Sequence, residues 1–275
     1  MAWGLRTPVR HLLNLVPQEE AARQNRLQKA LERAHGRAFA AEIARAMSEM
    51  LASYQATGRA PNLPDDHEAR LRTVMQAMAA QSIATFGARI LEQGKAYQPG
   101  LEVKSFAEFF QRLALEFIAL EAVRQRITSI ASTTRRQIVT MITRGQEEGD
   151  SLDTISRNIN RRTPGISRWR GAMIARTETH SAANYGAHNA AKATGLNLVK
   201  QWISVEDTRI RDFNEPTIAE FDHRRMDEKT VAMDQPFMVP RRGGGYEALM
   251  HPGDPAGSAA NIINCRCQVG HIVLE

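Results

Sequence analysis

The sequence predicts an α+β protein that is mostly α: an extended N-terminal helical bundle followed by a small loop-rich C-terminal α+β domain with short strands. Three observations carry this. Stretches rich in Ala, Leu, Arg and Glu fill the first half with few breakers, and apolar residues there recur at steps of three and four. Beyond Gly195 the period turns extended, between loops dense in Gly, Pro and Asp. With 275 residues and 43% hydrophobic content the chain can bury a real core, most readily as two units, 1–150 and 151–275.

The first sixteen residues are mixed and basic, with Trp3 and an apolar patch at Leu12, Leu13 and Leu15 that suits an arm or a small docking helix. Pro17 stands where a helix can begin, and Glu19 to Tyr54 runs without an internal proline until Gly58, Pro61 and Pro64 end it. Asp65 or Asp66 can cap a second helix reaching Gln93. Ser105-Phe106-Ala107-Glu108 is a capping-box pattern that opens a third. Leu113, Phe117, Leu120, Val123 and Ile127 start an apolar stripe that continues to Met141, so the third helix is read as one piece and helices one to three as an antiparallel bundle.

Ser151 opens a short helix with Leu152, Ile155 and Ile159 on one face, and Thr163-Pro164-Gly165 reads as a break. Ser167 then caps a helix that stops at Gly195. Leu198 to Ser204, Val231 to Met238 and Gln268 to Leu274 are strand candidates. Arg241-Arg242-Gly243-Gly244-Gly245 looks like an exposed hairpin tip.

Charge is unevenly spread. Between Glu121 and Arg176 there are eleven arginines, no lysine and five acids, a surplus of six that equals the surplus of the whole chain. If a polyanion is bound, this neck is where it binds. No reading helix with base-contacting spacing is evident, so the expected term is sequence-independent neutralisation of DNA phosphates by Arg157, Arg161, Arg162, Arg168 and Arg170. The competing reading is arginine as a helix former on solvated faces. No apolar run approaches the roughly 18–20 residues of a membrane span, and the opening residues lack a signal-peptide core, so no membrane is expected and synthesis in the cytoplasm is.

The two cysteines, Cys265 and Cys267, are the only ones in the chain. A bridge one residue apart would be strained, which leaves thiols or metal ligands. Zinc needs about four N or S ligands; a CysXCys pair supplies two, and His223, His251 or His271 would have to complete the set. The favoured reading is a structural turn with no metal or other cofactor: Asn264 bonds the loop backbone, Cys265 packs inward, Arg266 reaches Asp207 or Asp254, and Cys267 begins the last strand. On that reading Cys265→Ser destabilises the fold through a buried hydroxyl without changing metal content.

Arg176, His180, Asn184 and His188 fall along one helix face at four-residue steps, which reads as a hydrogen-bonding face with Arg176 and Glu178 as ties to the following loops. Asp207, Arg209 and Arg211 alternate on an extended segment. They can clamp a phosphate or close an ion-pair network, and the latter is favoured because no glycine loop adjoins them. No nucleophile motif, Walker loop, dinucleotide fingerprint or HExxH is present, so enzymatic activity has no support in the motifs.

Taken in order, Arg176-Thr177-Glu178, the run from Asn184 to Gly195, Lys200-Gln201-Trp202-Ile203, Asp207-Thr208-Arg209-Ile210-Arg211, Phe237, Pro252-Gly253-Asp254-Pro255 and Asn264-Cys265-Arg266-Cys267 resemble the head-morphogenesis family of tailed bacteriophages named after the Mu F protein. The resemblance covers about residues 165–273. It departs from the family where a compact His or CysXXCys group and a Leu-Asp-Gly turn would follow the Asp-x-Arg segment: here the spacer is longer, His223 arrives late, and Met226-Asp227-Glu228 replaces the turn. The resemblance implies a minor capsid protein of a phage or prophage that joins the procapsid at the portal protein, meets capsid or scaffolding protein, and stays in the capsid interior of the virion beside packaged double-stranded DNA. It also implies structural use of Arg176, Glu178, Asp207, Arg209, Asp254, Asn264, Cys265 and Cys267. The alternative, drawn from related domains joined to toxin modules, is a metal-dependent hydrolase or toxin-like transferase acting on nucleic acid or a host protein.

Overall fold

The computed structural model describes residues 10–11, 17–99, 106–204, 210–214 and 219–274. In chain order the elements are β1 (Arg10–His11), α1 (Pro17–Thr57), α2 (His67–Gly94), α3 (Phe106–Ala119), α4 (Glu121–Glu147), α5 (Leu152–Ala193), β2 (Leu198–Ile203), a 3-10 turn at Arg224–Met226, β3 (Thr230–Ala232), β4 (Phe237–Pro240), β5 (Tyr246–Leu249), α6 (Ala259–Ile262) and β6 (Gln268–Val273). The architecture is mostly helical α+β, as expected. Ser105, Asp207 and Arg209, with the arm around Trp3, lie outside the described residues.

α5 is the helix on which the others assemble, and it packs most extensively against α1 and α2. The expected break at Thr163-Pro164-Gly165 is absent: α5 runs 42 residues with Pro164 inside it. Proline removes one helical N–H and leaves the carbonyl of Asn160 without its usual donor. Pro164 and Asn160 both face solvent, while Ile155, Ile159, Thr163, Ser167 and Ile174 are buried on the other side. Burial of that stripe on both sides of the proline holds the helix together, and the freed carbonyl belongs to an exposed residue. Ser151, not Ser167, is the N-cap, its side chain accepting from the Thr154 amide.

The opposite correction applies to the third helix. The apolar stripe is continuous, yet the backbone turns at Leu120 (φ −57°, ψ 132°), which becomes the N-cap of α4. The stripe stays in one core because α3 packs on α2 and α4 runs on beside α1, α2 and α5. The expected strand from Val231 to Met238 is likewise two, since Met233–Pro236 turns between β3 and β4, with the Gln235 amide bonded to the Ala232 carbonyl. Pro236 has no amide with which to continue a ladder.

The four-stranded sheet has the order β1-β6-β2-β3, with Val199 opposite Ile272 and Trp202 opposite Val269 in the antiparallel β2–β6 pair. β4 and β5 form a separate hairpin whose tip is Arg241–Gly245. One core joins α1–α5 with Leu198, Val269 and Val273 from the sheet. A second holds Trp202, Phe221, Met226, Phe237, Val239, Leu249, Cys265 and Cys267. Among the described residues no helix is long and apolar enough to cross a membrane.

Helix α5 meets its neighbours backbone to backbone. A methyl group added at Gly171 would lie 2.5 Å from the Gly36 carbonyl oxygen of α1, and one at Gly186 would lie 2.7 Å from Ile83 Cα of α2. Neither obstacle is a side chain that can rotate away. Gly171→Val and Gly186→Val should each lower stability by about 1–3 kcal/mol, read as a fall in the denaturation midpoint. Gly165→Ala, at a helix position with open space around it, should be neutral or stabilising by up to about 1 kcal/mol.

Candidate functional site

The C-terminal half of α5 is buried although it is polar, and most of its polar side chains bond groups inside the protein. The ring of His180 donates from Nε2 to the Cys267 carbonyl at 2.6 Å. Asn184, one turn on, accepts the Val269 amide at 2.9 Å and donates to the Cys267 carbonyl at 3.3 Å. These bonds fix the start of β6 against the helix. Arg176 donates to Asn264 Oδ1 at 3.2 Å, and Thr177 Oγ1 accepts the Asn264 amide at 3.2 Å. Asn264 therefore bonds α5 rather than its own loop, and it does so from the left-handed region (φ 59°).

Glu178 pairs with Arg126 of α4 at 2.9 Å, and Arg126 also reaches the Pro255 carbonyl at 3.4 Å. Burial raises the Glu178 carboxyl above its ordinary value, against the pull of Arg126. The Pro252–Pro255 turn closes on itself: Asp254 accepts the Met250 amide at 2.7 Å and the Ala256 amide at 3.0 Å. Gly253 has φ 71°, and a side chain there would strike His180 Nδ1, so two constraints select glycine.

Cys265 and Cys267 both point into the second core, 2% and 3% exposed. His223, from the loop before the 3-10 turn, places Nδ1 at 3.5 Å from Cys265 Sγ and 3.6 Å from Cys267 Sγ. Its other nitrogen lies 2.6 Å from Asn261 Oδ1, and Asn261 Nδ2 donates to Glu247 at 2.6 Å. Trp202 stands edge-on to the His223 ring at 5.3 Å. Burial pushes the Cys265 thiol up, but Cys267, His223 and His180 together leave it well below its ordinary value; burial and the neighbouring Cys265 push Cys267 well above.

His251 and His271 do not join the cysteines. They gather around His188 of α5, with ring centroids 5.8 and 6.4 Å from it, beside Lys200. That lysine is buried, donates to the Met250 carbonyl at 2.7 Å and sits 5.4 Å from the Phe237 ring; burial lowers its pKa to about 8. Burial together with neighbouring positive groups lowers His188 to about 2 and His271 to about 3.

The neck arginines divide. Arg157, Arg161, Arg162 and Arg168 are exposed along the N-terminal half of α5, with Trp169 also exposed. Arg170 is buried, and its guanidinium donates to Thr134 Oγ1, Gln137 and the Ile130 carbonyl of α4. It is set apart from the other four by the helix periodicity, which turns position 170 inward. At the hairpin tip Arg241 pairs with Glu220 at 2.7 Å, and Arg242 donates to the carbonyls of Ala219 and Phe213. Arg211 donates to the Ile263 carbonyl, and Arg266 lines a cleft with Glu32 and Arg176. Asn261, Glu247 and Arg126 belong to no motif in the sequence. Lys200 could have been placed inside, because it alternates with Leu198 and Trp202 on the buried face of β2.

The arrangement is a long polar-faced helix clamped to a small sheet by the ordered motifs. Residues 136–270 match the family described as Phage Mu protein F like protein, a match that supports the phage head-morphogenesis family. It is also similar to the NAD(+)--arginine ADP-ribosyltransferase EFV of Enterococcus faecalis (strain ATCC 700802 / V583), 25% identical over 169 residues, 60% of this chain and 31% of that protein. The chain thus spans about a third of the length of that relative. No solved structure matches.

Two outcomes test this reading of the buried groups. Arg126→Ala leaves Glu178 buried without its partner and should cost about 3–5 kcal/mol in chemical denaturation, with Arg126→Lys recovering part of it. His188 and His271 stay neutral in the fold but take up protons from about pH 6.5 once unfolded. Stability is therefore full above that pH and falls below it by about 1.4 kcal/mol per pH unit for each ring, down to about pH 3. Unfolding at pH 5.5 should take up about two protons through these rings, measured from the slope of stability against pH.

Proposed function

We propose that this protein is a minor capsid protein of a tailed phage or prophage, built in the host cytoplasm, bound to the portal protein during procapsid assembly and retained in the capsid interior next to packaged DNA. The observation that carries the reading is the family match over residues 136–270. The helical stretch up to residue 150 supplies the surface for portal and capsid or scaffolding protein. The exposed arginines 157, 161, 162 and 168 supply a sequence-independent contact to double-stranded DNA, with Arg170 excluded because it ties α5 to α4. The role is architectural rather than enzymatic.

A second reading is favoured by one observation, the similarity to a protein named as an ADP-ribosyltransferase. It takes this chain itself as a transferase acting on a host protein. The cleft between α4, α5 and the 255–263 segment, about 460 Å³ with Glu178 and Arg126 in its wall, is where a nucleotide would have to enter. Incubation with labelled NAD and cell extract separates the two: label transfer lost in Glu178→Gln favours the transferase, and no transfer favours the head protein.

Purified virions should contain the protein by mass spectrometry, and a pull-down should recover portal protein. Replacing Arg157, Arg161, Arg162 and Arg168 by alanine should weaken DNA binding equally across sequences and flatten the salt dependence by up to about 0.9 per lost phosphate contact. Unchanged affinity and slope would move the DNA contact elsewhere.

A further inference from the structure

We propose that His223, Cys265 and Cys267 are three ligands of one tetrahedral zinc ion. Their ligand atoms lie within 4.8 Å of one another, all on buried side chains, and they form the one such cluster among the described residues. Zinc bonds of about 2.3 Å to sulfur and 2.0–2.1 Å to nitrogen, at tetrahedral angles, put a nitrogen about 3.6 Å from each sulfur. The observed separations from His223 Nδ1 are 3.5 and 3.6 Å. A hydrogen bond does not account for this symmetry, because one imidazole lone pair accepts one S–H. A zinc ion held between the three side chains accounts for the near-equal distances.

The surroundings set the tautomer. Asn261 donates its amide to Glu247 and so turns Oδ1 toward the ring. Nε2 of His223 must then carry the proton, which leaves Nδ1 bare and facing the sulfurs. A ligand histidine held through its other nitrogen is the usual arrangement at a metal. Trp202, Phe221 and Phe237 surround the cluster and keep it dry. Two thiolates and an imidazole select zinc over harder cations such as magnesium and calcium. A catalytic thiol would need access that 2% and 3% exposure denies, so the metal is a fastener joining the 223 loop to the start of β6.

The chain supplies three ligands, His180 being outside the cluster with its Nε2 on the Cys267 carbonyl; a water completes the tetrahedron.

Elemental analysis of the purified full chain should find one zinc per chain. The cobalt-substituted wild-type protein should show thiolate-to-cobalt charge transfer together with the visible bands of a tetrahedral site. Cys265→Ser with Cys267→Ser should abolish both signals. Asn261→Ala should keep the ion but weaken its affinity about 10–100-fold in a chelator competition. A wild-type protein without stoichiometric metal, or a cobalt form lacking the sulfur charge-transfer band, overturns the assignment. Both readouts need only the wild-type chain, so a cysteine variant that fails to fold does not obscure the result.

Discussion

A polar helix face buried in protein must find partners there, and the C-terminal half of α5 imposes that requirement on everything around it. Thr177, Glu178, His180 and Asn184 are all buried, and leaving any one of them wholly unpaired would carry a penalty of about a kcal/mol or more. The partners come from far along the chain: Arg126 on α4, Asn264 before the cysteines, the Cys267 carbonyl and the Val269 amide at the start of β6. Where these groups must stand determines where α4, the last strand and the Pro252–Pro255 turn can lie. The small sheet is positioned by hydrogen bonds to a helix as much as by its own ladder.

The family match begins within α4 and ends within β6, yet the core of the matched segment is completed by residues before it. Ile83 of α2 and Gly36 of α1 touch α5 through the backbone, and His35 of α1 bonds Thr179 of α5 at 2.8 Å and Gln81 of α2 at 2.9 Å. Gln28 of α1 even reaches Gln268 on β6. The helical stretch outside the match is therefore part of what keeps the matched domain folded, in addition to any surface it offers.

Periodicity and turn chemistry made α1, α2, the helix stop at Gly195, and strands β2 and β6 legible in the sequence, because each is decided by neighbours a few residues away. The misread elements are those that tertiary packing decides. Pro164 looks like a terminator until the buried stripe on both sides of it is known, and Leu120 looks like one more core residue in an unbroken stripe. At the candidate site the order of motifs pointed to Arg176, Glu178, Asp254, Asn264 and the cysteines. It did not show that His223 stands beside both cysteines while His251 and His271 turn away to His188, because 42 and 44 residues separate His223 from the two thiols and no local rule fixes that distance. Arg170 differs from Arg168 only by its phase on the helix, and the expected phosphate cluster overlooked that phase.

The length of α5 has a further consequence. At about 1.5 Å per residue, Arg168 and His180 are roughly 18 Å apart along the axis, about twice the distance over which physiological salt lets exposed charges sense one another. The exposed arginines 157–168 and the cysteine and histidine cluster therefore stand about two screening lengths or more apart on one rigid rod. Ionic strength can tune what the exposed arginines meet at one end of that rod while leaving the buried groups at the other end little changed, so the surface charge of the neck is free to vary independently of that end.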